Sequence, residues 1–130
     1  MIVDVHTHLG YDYVFEEDFS LKDLLTNMEE NEVDISIVQP GTVLDLEVVI
    51  KEHNAIADLS KRMPGRIYGM ANPNPHLSRN QYYRELGRCV NDLGFVGVKM
   101  QTLGHGVDPN KSAGRKVFEA ALDLGVPVMV

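Results

Sequence analysis

The sequence predicts an α/β fold of five parallel strands with four intervening helices, and three observations predict it. Five apolar, strand-like runs recur about 30 residues apart, the span of one strand–helix–strand crossover. The segments between them place apolar residues at i, i+3, i+4 and i+7, the spacing of a half-buried helix. Asn, Gly or Pro-Gly stands where helices must hand over to the next strand.

The first strand is expected over Ile2–His6, where apolar and polar residues alternate and point to opposite faces with period two. That parity puts Asp4, His6 and His8 on one face and Val3, Val5 and Thr7 on the other. Leu21, Leu24, Leu25 and Met28 form the first helical stripe, opened by Ser20 and Asp23 as a capping-box variant. Strand two is Ile35–Val38, and the second helix carries Val49, Ile56, Leu59 and Met63 before Met63-Pro64-Gly65 stops it. Strand three is Ile67–Met70. Tyr82, Leu86, Cys89, Val90 and Leu93 then give the third stripe, and strand four is Phe95–Lys99. Val117, Phe118, Ala121, Leu122 and Leu124 give the fourth, ahead of strand five at Val126–Val130. Asn31, Gly94 and Gly125 are each expected to take a left-handed C-terminal cap.

Val126-Pro127-Val128-Met129-Val130 is an apolar strand with no helix after it, whereas parallel sheets are buried on both faces. The expected architecture is therefore a partial (βα)8 TIM barrel, with residues 1–130 as the N-terminal portion of a single barrel that takes about 250 residues when complete. The alternative is a self-contained five-stranded open sheet.

A net charge of −7 lacks the basic stripe that phosphate backbones require, so no nucleic-acid partner is expected. No apolar run approaches the roughly 20 residues of a spanning helix, so no membrane role is expected either. Cys89 is the single cysteine, which excludes an intrachain disulfide and makes a reducing cytoplasm the simplest address. Its place in the third stripe reads as core packing.

The chemistry concentrates in Asp4-Val5-His6-Thr7-His8. Two imidazoles at i and i+2, at the end of a strand, can reach one point and share a metal ion. Imidazole suits Zn, Fe, Ni or Cu, so the pair does not select the metal.

The opening Asp4-Val5-His6-Thr7-His8-Leu9-Gly10 resembles the amidohydrolase superfamily, in particular its aminocarboxymuconate-semialdehyde decarboxylase-like group. Three further stretches resemble the same group: Asn54-Ala55-Ile56-Ala57 with Pro64-Gly65-Arg66-Ile67; Gly94-Phe95-Val96-Gly97-Val98-Lys99; and Phe118-Glu119-Ala120-Ala121 with Leu124-Gly125-Val126-Pro127-Val128. The resemblance implies a (βα)8 barrel that uses a divalent metal, most often Zn, to hydrolyse or non-oxidatively decarboxylate a small carboxylated or amide substrate. It implies His6 and His8 as metal ligands. A further His after strand five, a later His and an Asp complete the family's set, and all would lie past Val130. Gln101 stands where members often carry His.

Lys99, at the C-terminal mouth of strand four, is the candidate contact for a substrate carboxylate, and Asn72 a second substrate contact on the same rim. Tyr11 and Tyr13 are placed to line the mouth. His53 reads as structural, and His105, in Gly104-His105-Gly106, as a mobile solvated side chain. With two ligands of a set that needs at least three, the chain alone is expected to turn over poorly. Its open sheet edges predict self-association. Two other functions are alternatives: a noncatalytic half-barrel for assembly or partner binding through its open sheet edges, and a metallophosphoesterase or TatD-like nuclease, since those also open with His-x-His.

Overall fold

In the computed structural model, which describes residues 1–130, the chain runs β1 (Val3–Asp12), β2 (Glu17–Phe19), α1 (Leu21–Glu30), β3 (Ile35–Pro40), α2 (Leu46–Arg62), β4 (Ile67–Gly69), α3 (Arg79–Asn91), β5 (Val98–Lys99), α4 (Thr102–His105), α5 (Ser112–Leu124) and β6 (Val128–Met129). β1 pairs in parallel with β3, β3 with β4, and β5 with β6. An isolated parallel bridge between Ala71 and Val98 joins β4 to β5. Hydrogen bonds from Ala71 N to Gly97 O (3.0 Å) and from Lys99 N to Ala71 O (2.7 Å) seal that junction. Five parallel strands thus follow one another in chain order, as in one side of a βα barrel.

The counts differ from expectation. β1 continues to Asp12 rather than ending at His6, then folds back as the short antiparallel β2, pairing Gly10 with Phe19 and Asp12 with Glu17. α4 is a single turn inside what reads as a loop, making five helices rather than four. No helix is long and apolar enough to cross a membrane.

Helix ends follow local chemistry. Ser20 Oγ accepts the Asp23 amide at 3.1 Å and opens α1, but the reciprocal capping box lies at Ser78 and Gln81, at the start of α3. Gly94 and Gly125 take the left-handed conformation, with φ of 72° and 68°. Asn31 does not: its φ is −105°, and Glu32 at 52° makes the reversal one residue later.

The core lies between the sheet and its helices. Val38, Ile67 and Val98 from the strands meet Ile56 and Leu59 of α2, Tyr82 and Leu86 of α3, and Val117 of α5, all nearly inaccessible to water. Val98 and Met100 face this layer, so Gly97 and Lys99 face the other way, towards the barrel axis. A Cβ on Gly97 would lie 3.1 Å from Met70 Cε, so the missing side chain is the space that Met70 occupies.

Candidate metal centre

β1 carries a bulge. Asp4 pairs with Ser36 and Thr7 with Val38, so three steps along β1 match two along β3. Paired residues in a parallel ladder point the same way, which puts Asp4 on the helix side with Ser36 and Val38, opposite His8. This corrects the expected grouping of Asp4 with His6 and His8: strict alternation holds only where no residue is inserted. Asp4 instead accepts the His6 backbone amide through Oδ1 at 3.0 Å.

Beyond the bulge, the His6 and His8 rings share a face with centroids 5.2 Å apart, tilted by 52°. His8 also stacks on Phe19 of β2 at 5.1 Å. Its Nδ1 lies 3.1 Å from the carbonyl oxygen of Pro40, the last residue of β3. A carbonyl only accepts, so Nδ1 is the donor, and in the neutral ring Nε2 is then the nitrogen with the lone pair. This is the arrangement in which ligating histidines are usually held. Desolvation against its neighbours pushes the His6 imidazole below its ordinary pKa, and the Lys99 charge and the His8 ring add to that push. A neutral ring is the form a metal binds. The donor set therefore fits a divalent ion, with two nitrogens on one face.

Lys99 is 4% exposed on that axial side, and burial lowers its amine from the usual value. Asn72, just past β4, is buried too. Its Nδ2 donates to the Pro40 and Gly41 carbonyls, each at 3.4 Å, while its Oδ1 has no partner. Gln39 pairs in register with His8 and shares its face. It is fully buried, and neither amide atom has a partner. Unpaired buried carboxamides are costly in a fold that has no use for them. Gln39 escapes notice in the sequence because it follows an apolar run; its polarity on the His8 side of the strand is the signal that marks it.

The rim above is tied down by Asp12, at 3% exposure. Its Oδ1 accepts Val14 N and Phe15 N, both at 2.9 Å, and its Oδ2 accepts Thr42 N at 2.6 Å. Burial would raise this carboxyl; the backbone donors of Phe15, Thr42 and Val14 outweigh it and hold the pKa below the usual value. Tyr11 and Tyr13 meet edge to face at 5.0 Å. Tyr13 borders an apolar hollow of about 230 Å³ with Val43, Leu44 and Val48. His105 is not a solvated loop residue: it is buried in α4, and its Nε2 donates to Val43 O at 3.1 Å.

A second polar cluster lies in the helix layer. His53 of α2 and Glu85 and Cys89 of α3 bring three potential ligand atoms within 4.8 Å of one another, all buried. Their valences are already used. His53 Nδ1–H donates to Glu85 Oε1 at 2.7 Å, and Asn72 N–H donates to His53 Nε2 at 3.1 Å. Arg88 donates to both Glu85 oxygens, at 2.9 and 2.7 Å. Burial raises the Glu85 carboxyl, yet the bonds from His53 and Arg88 overcome it and bring the pKa down to about 2. Burial keeps His53 neutral and, with Glu85 nearby, raises the Cys89 thiol well above its usual value. Cys89 is core, as expected; the proton-bearing His53 Nδ1 lies 3.3 Å from its sulfur, a neighbour that the sequence hides. The cluster is a satisfied hydrogen-bond network.

The amidohydrolase family profile matches residues 3–130. No curated protein matches the chain. Among solved structures, a 5-carboxyvanillate decarboxylase from Sphingomonas paucimobilis superposes with a TM-score of 0.76 at 13% identity, over 98% of this chain and 50% of that one. The 5-carboxyvanillate decarboxylase of Novosphingobium aromaticivorans, complexed with manganese and 4-hydroxy-3-methoxy-5-nitrobenzoic acid, gives 0.73 at 15%, over 98% and 49%. A 2,6-dihydroxybenzoate decarboxylase from Rhizobium gives 0.70 at 19%, again over 98% and 49%. The chain spans about half the length of the solved structures it resembles. With a profile match over nearly its whole length and this barrel-side arrangement of strands, the chain belongs to the amidohydrolase family.

Proposed function

We propose that residues 1–130 form the N-terminal portion of a (βα)8 barrel and carry part of the divalent-metal site of a hydrolase or non-oxidative decarboxylase. The substrate class is a small carboxylated or amide compound. One observation carries the reading: His6 and His8 converge on the axial face beside Lys99, with His8 Nδ1 already engaged by Pro40 O. The aromatic carboxylates handled by the decarboxylases of the same fold favour a carboxylated substrate.

His6 and His8 would hold the ion, which we take to be zinc, with manganese the alternative that the Novosphingobium structure suggests. When bound, a divalent ion supplies Lewis acidity, polarising a carbonyl or carboxylate and acidifying water. Lys99 places a cation where a substrate carboxylate would sit, and burial strengthens that attraction by excluding water. Asn72 offers its unpartnered Oδ1 to a substrate donor. Gln39 lines the same face. Two histidines are fewer than the three protein ligands a catalytic zinc site usually has, so the 130-residue chain alone should turn over poorly.

Calorimetric titration of the purified chain with zinc and manganese tests the reading. One weak site is expected, and His8→Ala should weaken it by tenfold or more. Equal binding by wild type, His6→Ala and His8→Ala would place the metal elsewhere. Rapid metal-dependent decarboxylation of an aromatic carboxylate by this chain alone would show that the site is complete without further ligands.

A further inference from the structure

We propose that His53, in the helix layer, is a positioning residue for His8, acting through Asn72 and the Pro40 carbonyl; this inference rests on the metal reading of His8. The link is a continuous run of hydrogen bonds. Arg88 anchors Glu85, and Glu85 accepts the proton-bearing Nδ1 of His53 at 2.7 Å. That fixes the His53 tautomer, leaving Nε2 to accept the Asn72 backbone amide at 3.1 Å. Asn72 is thereby held with its Nδ2 between the carbonyls of Pro40 and Gly41. The Pro40 carbonyl is the acceptor that also receives His8 Nδ1–H, at 3.1 Å.

Chemistry explains why such an arrangement acts at a distance. The ligand atom of His8 is Nε2 only while Nδ1 keeps its proton, and Nδ1 keeps it only while a pure acceptor stays within reach. Pro40 O is that acceptor, and the second hydrogen bond it accepts, from Asn72 Nδ2 at 3.4 Å, fixes where the carbonyl points. His53 is fully buried, with Phe95 edge-on to its ring at 5.6 Å, so it cannot shift to compensate. A histidine that served packing alone would need neither an ionised carboxylate on one nitrogen nor a rim amide on the other.

Two near-isosteric replacements separate the two bonds. His53→Asn keeps a donor near the Nδ1 position for Glu85 and loses the acceptor for Asn72. His53→Gln keeps an acceptor near the Nε2 position and loses the donor. The readout is the His8 tautomer in the ¹⁵N-labelled full chain, from long-range ¹H–¹⁵N NMR, together with zinc affinity by calorimetry. The wild type should show His8 protonated on Nδ1. His53→Asn should give mixed tautomers and weaken zinc by about tenfold, the low end for an outer-shell loss. His53→Gln should resemble the wild type in both, although both variants melt earlier. Asn72→Ala, which leaves the buried cluster intact, should reproduce the His53→Asn result and serves if that variant does not fold. Equal changes in the two His53 variants, or an unchanged His8 in His53→Asn and Asn72→Ala, would overturn the proposal. Absence of zinc binding by the wild type would count against the metal reading alone, since the tautomer still reports the relay.

Discussion

Gly69 and Asp12 show how much rests on single positions near the site. A Cβ on Gly69 would lie 2.3 Å from Phe95 Cε1, and Phe95 is the ring that walls His53. Gly69→Ala should therefore cost about 1–3 kcal/mol through overpacking, read from urea melts. It should also disturb the His53 imidazole resonances, whereas an alanine at the open Gly87 should not. Asp12→Ala would strand three amide donors and should destabilise by about 3 kcal/mol. Because the Asp12 carboxyl is held below its ordinary pKa, its contribution is complete above the unfolded value of 3.8 and fades as pH falls through the folded one. Acid melts of wild type and Asp12→Asn should thus converge at low pH. That His6 and His8 share a face and that Lys99 points away from the helix layer were legible in the sequence from strand periodicity. Asp12 and Glu85 were not, since each owes its role to partners brought near only by folding, and Gln39 is marked only by its register with His8.

Elements were legible in proportion to their length. The 17 residues of α2 and the 13 of α3 and α5 repeat their apolar stripe several times, so periodicity finds them. β2 is three residues, two of them acidic, and α4 is one turn beside glycines, so neither leaves a pattern. The bulge in β1 is invisible for a different reason, since an inserted residue shows only against a partner strand. α2 also supplies a pH response. Glu52 is half-buried beneath Gly10 of β1, and its Oε2 has no partner. Burial chiefly, then the Asp12 charge, push its pKa up to about 7, against an opposing bond from the Tyr11 amide. A raised carboxyl favours the fold when protonated. Stability should fall as pH rises from about 4.5 through about 7 and then level off. Glu52→Gln should flatten that slope in melts at pH 5, 6, 7 and 8; a slope unchanged by the substitution would assign it to another group.

At the scale of the whole molecule, the parallel order and the helix layer were foreseeable from a repeat of about 30 residues. The two sheet margins are where packing stops. Ile2, Val3 and Val5 are 50%, 41% and 50% exposed along β1, and Val130 is 62% exposed beside β6. Each buried aliphatic side chain is worth about 1.5–3 kcal/mol, a large share of the 5–15 kcal/mol that holds a typical domain. The isolated chain should therefore self-associate, giving dimers or larger species in light-scattering chromatography. Val5→Lys should shift that distribution towards monomer by placing a charge on the open edge. A concentration-independent monomer that melts cooperatively would show that these margins are tolerated as they stand.

The hairpin at the end of β1 sets a length. β2 occupies the free side of β1 only from Gly10 to Asp12, opposite the side taken by β3. A strand docking along that margin therefore has Val3 to Leu9 to pair with, about 23 Å of backbone. If it runs parallel to β1, its last paired residue stops level with Leu9, one residue past His8. The hairpin is thus a ruler: it fixes how far an incoming strand can slide and delivers that strand's C-terminal side chain to the height of the histidine pair.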